Sequence, residues 1–247
     1  LLDGDADLAV HSAKDMPPTL HPDLLLACAL PREDARDCFI TLDGKNLEDM
    51  PEGAIIGTSS PRRAAQVQHF YPHLCIQCLR GNVDTRLNKL REGKYHGIIL
   101  ATAGLKRLAC LDASYQQLPV EQWIPSVGQG IIAIECRNQD HHTQALLAGI
   151  NHAPSMQCLI AERQVIAALN GNCYSSVGVH ALWLHDDLLQ LQAMVFSPKG
   201  DQMITDQMQM PANQISTLGS QLGQQLLQKG AKQLLQTKSK GNDSVLL

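Results

Sequence analysis

Aromatic side chains are scarce in this chain: two Trp, four Tyr and three Phe, 4% of 247 residues. A platform that stacks successive bases needs more aromatic surface, so single-stranded nucleic acid is set aside as a partner. Positive charge is not in excess either. Twenty Lys and Arg against 24 Asp and Glu leave a net −4, whereas a duplex binder carries a basic stripe. No uninterrupted apolar run approaches the roughly 20 residues of a membrane span, so no membrane partner is expected. The eight cysteines (28, 38, 75, 78, 110, 136, 158 and 173) lack the spacing of a disulfide scaffold. With no recognisable secretion signal, reduced thiols in a cytoplasm are the expectation. Cys75-Ile76-Gln77-Cys78 is a lone CxxC without a second ligand pair nearby. It reads as part of a mostly buried strand, and no metal is expected.

What is present is a globular composition, 44% hydrophobic and 18% charged, over a length sufficient for two or three cores. The chain is organised around Gly57-Thr58-Ser59-Ser60-Pro61-Arg62-Arg63. Ala54-Ile55-Ile56 before it predicts a strand, and Arg62 to Phe70 after it predicts a helix. Gly57 is read as permitting a tight turn. Ser60 is a good N-cap, and Pro61 falls at the first helical position, where its missing N–H costs nothing. The free amides of that helix start, with Thr58, Ser59 and Ser60, favour an anion. Arg62 and Arg63 add two planar forks suited to carboxylate or phosphate. An ordinary capped helix with two solvated arginines fits the same spacing.

Taken in order, Leu1 to Ala6 reads as the tail of a helix, with further residues expected upstream. Asp7 to Val10 predicts a strand that runs into His11-Ser12-Ala13-Lys14-Asp15-Met16-Pro17-Pro18. Polar residues at the C-terminal end of a strand are where open α/β sheets place ligands. A surface loop with a solvated Lys14–Asp15 pair is the alternative, and His11 is read as a hydrogen-bonded core residue. Leu24 to Leu30 predicts a strand, and Pro31 to Asp37 a charged connector. From Cys38 a second unit alternates strands (Leu74 to Leu79, Gly97 to Thr102) with helices (Val83 to Glu92, and one opening at Ala103), which argues for a βαβ-type sheet. Its strand ends would gather Thr58-Ser59-Ser60, Arg80-Gly81-Asn82 and Ala101 to Gly104, so Arg62, Arg63, Arg80 and Arg86 could converge. The glycine-rich Trp123 to Gly130 reads as a crossover that returns Ile131 to Cys136 to the first sheet, with a helix over Gln139 to Ile150 behind it.

The last third predicts an amphipathic helix (Ser155 to Leu169), three strands (Val177 to Leu184, Leu188 to Phe196, Gln202 to Met210) and a Gln-rich helix (Gln214 to Lys229), a small α+β unit. Gly171 reads as the stop of the first helix. Cys173 follows it among small and polar residues. A nucleophile, an attachment point and a spare cysteine are all open there, and composition alone favours the spare.

The motifs together resemble porphobilinogen deaminase (hydroxymethylbilane synthase). The resemblance rests on Asp7 to Pro17, Arg32 to Asp37, Gly57 to Arg63, Leu79 to Leu87, Ala101 to Leu108, Pro125 to Gly130, and Glu162-Arg163 through Gly171-Asn172-Cys173. It implies a transferase that condenses four porphobilinogens into hydroxymethylbilane with loss of ammonia, in tetrapyrrole biosynthesis. It also implies a dipyrromethane cofactor joined by a thioether to Cys173, which reverses the composition-based reading. The catalytic aspartate would be Asp15, beside a transient pyrrole cation. Arg62, Arg63, Arg80 and Arg86 would clamp acetate and propionate arms, with Lys14, Thr58, Ser59, Ser60 and Gly81 beside them on the cofactor. The implied fold is α/β: two sheet domains resembling periplasmic-binding-protein halves on a hinge (1–30 with 131–150, and 36–124), and a C-terminal α+β domain (153–244). A monomer is implied.

Two departures stand out. The family's opening strand–helix portion precedes anything seen here, so the first domain is read as incomplete. At the cysteine, Asn172 replaces a glycine and Ser176 a proline of the family pattern. A non-catalytic two-domain anion-binding protein and a thiol-dependent hydrolase are the competing readings.

Overall fold

The computed structural model describes residues 1–169, 176–185 and 187–236. In chain order the first elements are β1 (Leu8–Ser12), β2 (Leu24–Ala29), β3 (Asp37–Ile40), β4 (Ile55–Gly57) and α1 (Pro61–Phe70). Then come β5 (Cys75–Gln77), α2 (Val83–Arg91), β6 (Gly97–Ala101), α3 (Thr102–Arg107), β7 (Gln116–Leu118), β8 (Ile132–Arg137) and α4 (His141–Ala148). The rest is α5 (Ala153–Ala168), β9 (Val177–His185), β10 (Leu188–Phe196), β11 (Met203–Pro211), α6 (Leu218–Gln228) and α7 (Ala231–Gln236).

Three sheets result, with orders β1-β8-β2, β5-β4-β6-β3-β7 and β11-β10-β9. This is the mixed α/β architecture expected: two sheet-bearing units and a C-terminal three-stranded sheet with helices. The crossover also behaves as expected, since β8 returns to lie between β1 and β2, antiparallel to both. The middle sheet is parallel only across β5-β4-β6, while β3 runs antiparallel to β6 and β7. Both faces of this sheet are buried. Phe39 and Ile99 pack with Ile56, Val67 and Trp123, whereas Cys38, Ile40, Ile98 and Leu100 pack with Leu79, Leu87 and Leu105. Neighbouring residues of one strand point to opposite faces, so a continuous apolar run such as Ile98-Ile99-Leu100 suits a sheet covered on both sides. The C-terminal sheet buries one face under α5 and α6. Its other face meets the middle unit, where Met194 and Phe196 pack on Ala65 and Ile124.

Several expectations need correction. Gly57 ends β4 without a positive φ. It is needed for space, because a Cβ there would lie 2.7 Å from the Tyr95 ring. Cys75 is exposed on the edge strand β5, so the CxxC is not buried. Residues 1–6 form turns held by Arg137, whose Nη1 donates to the carbonyls of Leu1 and Ala6, rather than a helix end. The Gln-rich helix starts later than expected, after a 3-10 turn at Ala212–Thr217. Asp37 belongs to β3, not to the charged connector. His11 is hydrogen-bonded as expected, with Nε2 3.1 Å from Glu135 Oε2 on β8, but it is half-buried rather than in the core. Among the described residues no helix is long and apolar enough to cross a membrane.

Candidate functional site

The site grows from three chain segments that end near one another. The first is the exit of β1, where Ala13–Asp15 form a 3-10 turn closed by Met16 N donating to Ala13 O. The second is the start of α1. Ser60 caps it by accepting from Arg63 N at 3.4 Å, and Thr58 Oγ1 in turn accepts from Ser60 N at 3.2 Å. The third is the connector from Trp123 to Gly130, pressed against the β1 exit. Gly128 has φ +68°, and a Cβ there would sit 2.7 Å from Ala13 Cβ, so position and conformation both require glycine.

Between these segments and α5 lies a cavity of about 80 Å³. One water needs roughly 10–15 Å³ by this measure, so the space exceeds a solvent-filled packing defect. Its polar walls are Lys14, Ser60, Arg62, Ser126 and Arg163, and its apolar walls include Met16, Val127, Ile166 and Val177. Among the described residues three cations and no carboxylate line it, which suits a ligand with several negative charges.

Asp37 anchors Arg62 and Arg63. Its carboxylate is fully buried, and takes Arg63 Nη2 at 2.8 Å and Gln129 Nε2 at 2.8 Å on Oδ1. On Oδ2 it takes Trp123 Nε1 at 2.9 Å and lies 2.8 Å from Arg62 Nη2. Burial alone would push this carboxyl up, but the two guanidiniums outweigh burial and hold it well below the usual carboxylate range. Arg62 also donates from Nε to Ser126 Oγ (3.1 Å) and from Nη1 to Ile124 O (2.9 Å). Arg63 donates from Nη1 to Ile99 O (2.9 Å), while its buried Nε has no partner among the described residues.

A second buried carboxylate joins the units. Glu162 of α5 accepts from Arg32 Nη1 (2.5 Å), Gly128 N (2.6 Å) and Ala181 N (2.8 Å), which ties both connectors to the C-terminal sheet. One residue on, Arg163 Nη2 donates to the carbonyls of Pro17 (2.8 Å) and Pro18 (3.0 Å), fixing the loop that follows Asp15. His180, also near Arg32, is pushed down to about 3 by burial and stays neutral.

The expected site residues separate into groups. Lys14, Ser60 and Arg62 line the cavity. Arg63 is buried and off the cavity wall, and Thr58 is buried as a capping partner. Asp15 is exposed next to cavity-lining Lys14 and Met16. Ser59 is half-buried beside Ser60, off the cavity wall. Arg86 is half-buried, donates from Nε to Gly81 O (2.7 Å), and is pulled below its ordinary value by burial and by the charge of Arg63. Arg80 and Gly81 are exposed and do not line the cavity. Cys173 lies outside the described residues. Sequence reasoning did not single out Asp37, Ser126 or Arg163 as site residues. Each lay inside a motif, but a charged run and a connector carry no sign of what they touch. Among the described residues no cluster of His, Cys, Asp or Glu could hold a metal ion.

Two family models cover most of the chain. Residues 1–145 match porphobilinogen deaminase, dipyromethane cofactor binding domain, and residues 156–228 match porphobilinogen deaminase, C-terminal domain. The chain belongs to the porphobilinogen deaminase family. This family acts in tetrapyrrole biosynthesis with porphobilinogen as its small-molecule substrate, and the first match is to its cofactor-binding domain. A solved structure, YhfZ from Shigella flexneri, is similar at 17% identity over 68% of this chain and 74% of that one, with a TM-score of 0.30, too low to argue from. A dipyrromethane bearing acidic arms fits the site of this porphobilinogen deaminase family member. The cavity walls are cationic, with the hydroxyls of Ser60 and Ser126 beside the guanidinium of Arg62.

Proposed function

We propose that this chain is a hydroxymethylbilane synthase, which joins four porphobilinogens head to tail on a dipyrromethane held by Cys173 and releases ammonia at each step. The observation that carries this reading is the cavity walled by Lys14, Arg62 and Arg163, with no carboxylate on it among the described residues. Ile166 and Val177, which stand on either side of Cys173 in the chain, both line it.

When bound, the dipyrromethane supplies a free pyrrole α-carbon as the acceptor for the next unit. The protein's own residues do the rest. Lys14, Arg62 and Arg163 take the acid arms, with Ser60 and Ser126 as hydroxyl partners. Arg63 sits behind them, while Arg86 and Arg80 meet arms of a longer chain nearer solvent. Asp15, between the cavity-lining Lys14 and Met16, stabilises the positive charge that develops on a pyrrole as ammonia leaves. Asp37 keeps Arg62 and Arg63 aimed before the ligand arrives, so little reorganisation is needed on binding. The accompanying division is 1–30 with 131–150, 36–124 and 153–244, in a cytoplasmic monomer.

Incubation with porphobilinogen tests the reading. Ammonia should appear one-for-one with pyrrole consumed, together with a linear tetrapyrrole. Binding of porphobilinogen without consumption would support the rival, a non-catalytic anion-binding protein, and overturn the enzyme.

A further inference from the structure

Two buried carboxylates serve the arginines of the cavity, and they are placed differently. Asp37 touches Arg62 and Arg63 directly. Glu135 of β8, only 8% exposed, reaches His11 of β1 and not Arg163: its Oε2 lies 3.1 Å from His11 Nε2. The packing nonetheless sets Glu135 behind Arg163. Leu159 of α5 shares an apolar cluster with Ala29, Ile131 and Ala133. Arg163 follows Leu159 by four residues, on the same face of the helix. Glu135 follows Ala133 by two residues, on the same face of the sheet. His11 is the register partner of Ala133, so it shares that face. Arg163 spends hydrogen bonds on the carbonyls of Pro17 and Pro18 and lines the cavity. Its nearby counter-charge is therefore close enough to act through space but does not occupy its fork. Consistently, burial pulls Arg163 below its ordinary value and the charge of Glu135 pulls it back.

We propose that Glu135 is a positioning residue whose charge, standing behind Arg163, tempers the grip of that guanidinium on acid arms, so that a growing chain can be shifted and released. This rests on the function proposed above and deepens it. Each pyrrole unit brings two carboxylates, so a cavity walled by cations alone would hold the chain more tightly with every ring added. Tightness shared by ground state and transition state brings no gain in rate once the site is filled. A fixed anion behind the wall lowers the potential that every arm feels. It does so without blocking the fork, because His11 holds the carboxylate toward β1. Glu135 touches neither substrate nor reacting atoms in this account.

Glu135→Gln tests this, because it keeps an oxygen for His11 and removes the charge. The KM for porphobilinogen should fall about three- to tenfold, the worth of one charge acting through space at a partly wet wall. A site merely loosened by the substitution would show a raised KM, so the direction separates tempering from damage, and an unchanged or raised KM overturns the proposal. Glu135→Asp restores the charge without the full reach to His11, and should bring KM back to the wild-type range. The opposite pattern, Gln silent and Asp impaired, makes Glu135 a structural hydrogen-bond partner and nothing more. A second pair of variants covers a Glu135→Gln chain that fails to fold. Arg163→Gln should raise KM, and adding Glu135→Gln to it, which removes both charges together, should recover part of that loss. A double variant no better than Arg163→Gln alone contradicts the proposal. If porphobilinogen is bound but not consumed, Kd from calorimetry takes the place of KM with the same expected directions, so failure of the enzyme reading and failure of the tempering role are told apart.

Discussion

Asp15→Ala should lower ammonia release from porphobilinogen by at least about 10²–10³-fold while the unfolding midpoint stays where it was. The kinetic half follows from placement. Asp15 stands between Lys14 and Met16, which line the cationic cavity, and one group aimed at developing charge is worth about that much. The stability half follows from exposure. Asp15 is exposed and makes no side-chain hydrogen bond among the described residues, and such surface positions contribute within about 0.5 kcal/mol. Initial rates of ammonia release and a urea unfolding curve on the same preparation check both halves. Wild-type turnover in the variant removes Asp15 from the chemistry. A large loss of stability means that the turn depends on Asp15 in a way the geometry does not contain.

Asp37→Asn should do the reverse: a large loss of stability, about 3–5 kcal/mol, because it leaves Arg62 and Arg63 buried without their counter-charge. The pH dependence has a definite sign. The folded carboxyl is held below its ordinary value, so the unfolded chain takes up its proton first as pH falls. The stability due to Asp37 is therefore complete above about 3.9, the ordinary carboxyl value, and is lost as pH falls from there through the folded value. The gap between wild type and variant should stay flat from pH 8 to about pH 5 and narrow only in stronger acid. Urea midpoints across pH measure it. Trp123, which donates its indole N–H to Asp37, offers a local fluorescence signal for the same event. A gap that closes between pH 8 and pH 6 would show that another group holds the arginines.

These two aspartates also mark the limit of what a sequence discloses. The strand, Ser60 cap, Pro61 and helix over residues 55–70 were legible, because the signals that start a helix are local in the chain. The returning strand β8 was legible as well, since a glycine-rich crossover precedes an apolar run. Asp37 was not. It closes a run of charged residues that reads as a connector, and only its partners 25, 26, 86 and 92 residues away make burial tolerable. The same blindness made Arg62 and Arg63 look like two free forks, whereas much of their capacity is used on Asp37, Ile99, Ile124 and Ser126. Strands β3 and β7 escaped notice because four and three residues carry no period to read. Gly57 looked like a turn residue, but the ring of Tyr95, 38 positions later, is what requires it. For Lys14 and Asp15 the chain left a strand-end ligand site and a solvated pair both open. The fold half-buries Lys14 in the cavity wall and leaves Asp15 exposed beside it.

Intact-protein mass of the wild-type chain and of Cys173→Ser, each after exposure to porphobilinogen, tests the central claim most directly. The account predicts a wild-type increment of two pyrrole units, growing by single units with added substrate, and no increment in the variant. A chain that turns porphobilinogen over with no covalent increment, or an increment that survives Cys173→Ser, would contradict it.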